Sequence, residues 1–153
     1  MPATMKDKLA LVIVLLTLVG IALSGVSLYN HYKSTPTDYC DLGDNFNCDI
    51  VNRSIYAQVG KIPVAGIGLA GYIVLLVLAL QRRANRIASI LLVLGALGGV
   101  GYSLYLTYIE KYVLAMWCII CLGSLATISL IFLLGLARHL QKPQPAVLVQ
   151  MRS

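Results

Sequence analysis

The chain is short of charge. Only 12% of its 153 residues are Asp, Glu, Lys or Arg, roughly half the share carried by an ordinary soluble domain. It also lacks the alternating pattern of barrel strands. Its apolar residues, 59% of the total, lie in long uncharged runs that a water-soluble fold has nowhere to bury. These absences exclude a soluble fold and leave no room for a second folded unit. The net charge of +6 does not imply nucleic acid, because basic residues in such a chain sort topology.

Four runs approach or exceed the roughly 20 apolar residues that span a bilayer. They cover 9–29, 62–80, 87–109 and 112–137. Only helices satisfy every backbone group over such lengths in lipid. The expected fold is therefore an all-α integral membrane domain over 1–138, a bundle of four transmembrane helices. A long loop (30–61) joins the first two, and a disordered tail occupies 139–153, where Pro143 and Pro145 stand and no apolar period continues. Lys6 and Lys8 resemble the basic start of a signal peptide. The run after them exceeds the ~7–15 residues of a signal core, and no small-residue cleavage site ends it, so a retained helix is expected.

Charge orients the bundle. Lys6, Lys8, Arg82, Arg83, Arg86, Arg138, Lys142 and Arg152 gather on one side with a single acid, Asp7. The other side sets Lys33, Arg53, Lys61 and Lys111 against Asp38, Asp41, Asp44, Asp49 and Glu110. The basic side reads as cytosolic, which puts both termini in the cytosol and the long loop outside. A bacterial inner membrane, or an ER membrane in a eukaryote, fits this arrangement.

All four cysteines then lie on the extracytoplasmic side, where disulfides persist. Cys118 and Cys121 form a C-x-x-C pair, the spacing of dithiol oxidoreductases, expected one to two turns inside the fourth helix. The helix dipole would then help only modestly. No acid flanks the motif in sequence; Trp117, Ile119 and Ile120 make it apolar and suited to a hydrophobic electron acceptor. Cys40 and Cys48 bracket a turn-rich segment (Gly43, Asp44, Asn45, Asn47) that lets their sulfurs meet. Alone, that pair could be a structural staple; beside the helix pair it reads as the outer half of a thiol relay. Zinc is not expected, because the spacing lacks paired C-x₂₋₄-C knuckles.

Cys40-Asp-Leu-Gly-x₄-Cys48, Ser54 six residues later, Gly101 to Tyr108 of the third span and Trp117-Cys-Ile-Ile-Cys121 together resemble the vitamin K epoxide reductase family. The likeness runs from 9 to about 137. It implies a four-helix bundle around a quinone, capped by the outer loop with a short half-helix. Residues 49–58 fit that interfacial helix, with Ile50, Val51, Ile55 and Tyr56 available to face the membrane. By the same resemblance Cys121 would pass electrons to the quinone (of ubiquinone, menaquinone or vitamin K type), and Cys118 would exchange with Cys48. Cys40 would take electrons from the partner, and Ser54 would help position the loop. Two departures bear on the substrate. The animal enzymes use an Asn on the second helix and a Tyr four residues after the second motif cysteine, whereas this chain has Leu125 and no Asn between Ser54 and Leu80. Respiratory quinone, rather than epoxide, is therefore the expected acceptor. With no fused thioredoxin-like domain, a separate DsbA-like protein is the expected thiol partner. Epoxide reduction and a non-enzymatic, disulfide-stapled membrane protein are the competing readings.

Weaker features remain. Tyr102, Tyr105 and Tyr108, with Tyr112 beyond them, read either as an interfacial aromatic belt or as a quinone lining. Tyr105 and Trp117 are the aromatic candidates for quinone contact, beside Ser54 and Cys121. Gly66, Gly68, Gly71, Gly95 and Gly99 suit close helix packing. His31 reads as a solvated residue at the end of the first helix.

Overall fold

Backbone groups in lipid have no water to bond, so each apolar run closes its own hydrogen bonds as a helix. The computed structural model describes residues 5–81 and 86–141. Helix α1 is Met5–Tyr32, α2 is the five-residue Cys48–Asn52, α3 is Val64–Leu80, α4 is Arg86–Ile109 and α5 is Ile119–Leu140. A two-stranded hairpin, β1 (Gln58–Val59) against β2 (Ile62–Pro63), leads into α3. Helices α1 and α5, and the run Arg86–Leu114 that continues α4 through a wide π-turn, are long and apolar enough to cross a bilayer. Helix α3, at 17 residues, is shorter. The chain is a membrane protein of mainly helical build.

Several element boundaries differ from the sequence expectation. Helix α1 extends beyond 9–29 at both ends, and Ile62 and Pro63 belong to the hairpin rather than to a helix. The fourth span was expected from 112, but α5 starts at Ile119. The chain completes a π-turn over Glu110–Leu114, reverses at Ala115 and crosses over before α5 begins. Ala115 holds φ 51°, a left-handed conformation that ends the turn. Helix α5 also runs to Leu140, past the expected boundary at 138. The Arg82–Arg83 turn and the tail from 142 onward lie outside the described residues.

The four long helices close into a ring, with α1 and α4 each packed on both α3 and α5. Between helices in lipid the drive is close packing, which favours small residues at the contacts. The buried residues of α1 are Ile13, Thr17, Gly20, Ser24, Ser27 and Asn30, a stripe at three- and four-residue steps on one helix face. The Tyr72 ring of α3 fills the space where Gly20 has no side chain, and a Cβ at Gly99 would come within 2.8 Å of Ile128. One cluster fills the middle of the ring: Ile13, Tyr72, Leu75, Leu92, Ala96, Ile128 and Ile131 with their neighbours. A second, smaller cluster gathers Cys40, Cys48, Val51, Cys118 and Ile120 at one end.

Candidate active site

That second cluster is assembled from the loop after α1. Asn47 caps α2, its side chain accepting from the N–H groups of Asp49 and Ile50 at 3.0 and 3.1 Å. This ties the start of α2 at Cys48. The carboxylate of Asp49 accepts from the Thr37 N–H at 2.7 Å, which draws the segment before Cys40 alongside. Cys40 and Cys48 are joined by a disulfide with Cα atoms 5.6 Å apart. Both are 1% exposed. Of the residues expected to face the membrane from this segment, Ile50 and Ile55 are exposed, whereas Val51 packs into the cysteine cluster.

Trp117 docks the loop onto the bundle through its backbone. Its N–H donates to the Asn45 carbonyl at 2.9 Å, and its carbonyl accepts from the Asn47 N–H at 3.1 Å. These two bonds bring Cys48 to Cys118, where the sulfurs stand 3.4 Å apart. Cys118 is not inside the helix, as the sequence reading placed it; it is the N-cap of α5, and its sulfur accepts from the Cys121 N–H at 3.3 Å. The positive end of the helix dipole thus faces the Cys118 sulfur directly.

No acid flanks the motif in sequence, but the fold brings one to it. Glu110, eight residues upstream, folds back so that Oε2 accepts from the Cys118 N–H at 3.2 Å. Its backbone carbonyl accepts from Met116 at 3.1 Å. The side chain is 1% exposed and lines the same cavity as Cys121. A polar residue inside the apolar stretch 87–137 was the available signal, hidden because the residue seemed to belong to a short solvated turn.

A cavity of about 480 Å³ opens behind these sulfurs, between α1, α3, α4 and α5. Cys121, Glu110, Ser54, Asn52, Tyr72 and Tyr102 are among its lining residues, with mostly apolar neighbours. Cys118 is fully buried and does not line it. Of the quinone-contact candidates, Ser54 and Cys121 reach the cavity, whereas Tyr105 and Trp117 do not. Tyr105 is 55% exposed on the outer face of α4, and Trp117 serves the loop. Ser54 donates to the Val51 carbonyl at 2.8 Å, which turns the chain after α2.

The polar groups at the rim went largely unread in the sequence. Ser27 donates to Asn52 Oδ1 at 2.8 Å, joining α1 to α2. His31, expected to be solvated, instead lines the cavity, with Nδ1 2.6 Å from the Asn52 carbonyl. A carbonyl only accepts, so Nδ1 carries the proton and Nε2 accepts from the Gln58 amide at 3.1 Å. Across the cavity the Tyr72 hydroxyl bonds Ser124 of α5 at 3.0–3.1 Å.

Two cysteine pairs in register, one of them on an apolar cavity, form the arrangement that the sequence motifs of this chain anticipate. A profile of the vitamin K epoxide reductase family matches residues 11–136. The chain belongs to that family. No curated protein matches closely enough to count as a relative. Membership in the vitamin K epoxide reductase family makes the protein an oxidoreductase of the membrane thiol–disulfide and quinone-reducing kind. The match takes in both cysteine pairs, Glu110 and all but the ends of the helical bundle.

Proposed function

We propose that the protein is a quinone-dependent thiol oxidase that re-oxidises an extracytoplasmic, thioredoxin-fold partner and so supports disulfide formation in other proteins. In this reading four helices span the membrane, both termini are cytosolic, and the loop with α2 caps the bundle on the opposite side. The observation that carries it is the line of sulfurs. A Cys40–Cys48 disulfide has Cys118 in van der Waals contact with Cys48, and Cys121 stands one helical turn further on, at the cavity wall.

Cys40 is 1% exposed while the loop is closed; when the loop opens, a partner thiolate attacks Cys40 and Cys48 leaves as a thiolate, and the partner's second thiol then resolves the mixed disulfide. The partner is oxidised and Cys40/Cys48 is reduced. Cys48 next attacks Cys118 of a Cys118–Cys121 disulfide, releasing Cys121, and Cys40 closes back on Cys48. The outer pair is again a disulfide and the inner pair a dithiol, the pattern of bonds present in the structure. Such exchange needs an accessible, ionised sulfur in line with the one it attacks. The short separation of Cys48 and Cys118 supplies the approach.

The cavity suits a quinone ring. It lies within the usual ~300–1,000 Å³ range of ligand pockets, with apolar walls and few polar groups. When bound there, a quinone supplies a sink for two electrons and two protons. The residues that would hold it are the apolar side chains of the four helices, with Ser54 and Asn52 at the rim and Cys121 on the wall.

The test is thiol trapping of all four cysteines with and without quinone, beside turnover of quinone by a dithiol. Cys121→Ala is expected to abolish quinone reduction while leaving the Cys40–Cys48 disulfide formed. Quinone turnover that survives Cys121→Ala would sink the assignment.

A further inference from the structure

Oxidation of a dithiol releases protons as well as electrons, and the cysteine relay accounts only for the electrons. Next to the inner pair lies one side chain with the chemistry to take a proton. Glu110 is the sole glutamate of the chain. It is almost completely buried, although a carboxyl group is rarely found so deep without a partner. Its two oxygens are used differently. Oε2 accepts from the Cys118 N–H at 3.2 Å, whereas Oε1 is buried with no hydrogen-bond partner. The residue contributes to the cavity wall, as Cys121 does, and Cys118, which donates to it, also accepts through its sulfur from the Cys121 N–H.

A purely structural role explains half of this. The backbone carbonyl and Oε2 of Glu110 organise the crossing over 115–118, where Met116 and Cys118 donate to them. A glutamine would serve that purpose as well, because its amide oxygen accepts the same N–H bond without placing an ionisable group in a dry site. The carboxyl and its spare oxygen remain to be explained, and they share a cavity wall with the sulfur that has to lose a proton.

We propose that Glu110 is the proton acceptor for the Cys121 thiol, a role that rests on the thiol–quinone reading above. In the step concerned, the Cys118 and Cys121 thiols form an S–S bond. Two electrons leave for the bound quinone, and two protons leave the sulfurs. Glu110 Oε1 takes the one from Cys121 as that sulfur gives up its electrons, then releases it toward the cavity, where reduction of the quinone to quinol consumes both protons. Oε2 meanwhile keeps its bond to the Cys118 N–H, so the carboxyl does not swing away while it changes charge. Fixing an acid–base group against the reacting atom is the geometric requirement for general acid–base catalysis.

The decisive variant is Glu110→Gln, which preserves the acceptor for Cys118 and removes the proton-carrying group. Losing a general base lowers the rate by about 100-fold or more. With the detergent-solubilised full chain, a dithiol and a water-soluble short-chain ubiquinone, we expect kcat to fall by that factor while the quinone KM stays within about twofold. Without quinone, alkylation of Cys121 by iodoacetamide should slow about tenfold or more, and Glu110→Asp, which restores a carboxyl, should recover part of the rate. A Glu110→Gln protein with wild-type kcat and wild-type alkylation overturns the proposal and leaves the thiol–quinone reading standing. Failure of the wild-type protein to reduce quinone overturns that reading itself. If Glu110→Gln does not fold, ¹³C-glutamate labelling of the wild-type chain marks this single carboxyl. Its infrared band is expected to move between carboxylate and carboxylic-acid positions when the inner dithiol is oxidised, and a band that stays in place overturns the proposal.

Discussion

In the middle of the bundle, around Ile13, Leu75, Leu92 and Ile131, the helices meet through apolar and small side chains. Most hydroxyls there bond their own helices, Thr17 to Val14, Thr127 to Gly123 and Ser129 to Leu125, and Tyr72 alone of that cluster reaches across, to Ser124 of α5. At the cysteine end the pattern inverts. Asn30, Thr37, Asp49, Asn52 and Glu110 each keep a buried polar atom without a partner, an arrangement that costs about 1–3 kcal/mol per group. The loop there is held by a few specific bonds, and the cavity opens beside it. One region stores stability, and the other gives some of it up to hold sulfur, charge and empty space in fixed positions.

The largest effect should come from damaging the middle. Ile131 is fully buried, so Ile131→Ala leaves a hole costing about 2–5 kcal/mol. Unfolding titrated with SDS should show that loss, while the rate of Cys48–Cys118 exchange stays at the wild-type value. Exchange that slowed in parallel would mean that the two regions are not separable, and the comparison would break.

A smaller change sharpens it from the other side. Asn47→Ala removes the cap of α2 and should lower stability by about 1 kcal/mol. Its main effect is local, because Cys48 is the first residue of that helix. Reduction of the Cys40–Cys48 disulfide by an external dithiol should be faster in this variant than in Ile131→Ala, despite the milder loss of stability. The reverse order would count against the loop as an independently held unit.

The same division explains what could be read from the sequence. Lipid allows few backbone solutions, so the apolar runs announce helices. The cysteine pairs are legible because C-x-x-C spacing and the turn residues of 41–47 carry their chemistry locally. Glu110 is not legible, because its link to Cys118 depends on a chain reversal at Ala115 that no glycine advertises. Trp117 misleads because its backbone acts on the loop, while its ring attracts the eye. Tyr102 and Tyr105 differ by three residues, a rotation of about 60° around the helix. That is enough to put the first on the cavity wall and the second on the outer face.

The reversal itself offers the most delicate test. Ala115 is the only non-glycine residue with positive φ among the described residues, at 51°. A Cβ in that conformation costs about 1–2 kcal/mol. Ala115→Gly removes the cost but adds about 0.4–1 kcal/mol of chain entropy to the unfolded state. The balance favours the variant by about 0–1.6 kcal/mol, opposite in sign to the others. The Ala115 N–H bonds the Glu110 carbonyl, so the turn is held in place even when its strain is relieved. Stability measured by SDS titration should therefore rise slightly or stay level, with the alkylation rate of Cys121 unchanged. A loss of stability would mean that the Ala115 methyl makes a packing contact worth more than its strain. A change in Cys121 reactivity at unchanged stability would mean that the strained turn sets the distance between Glu110 and the thiol.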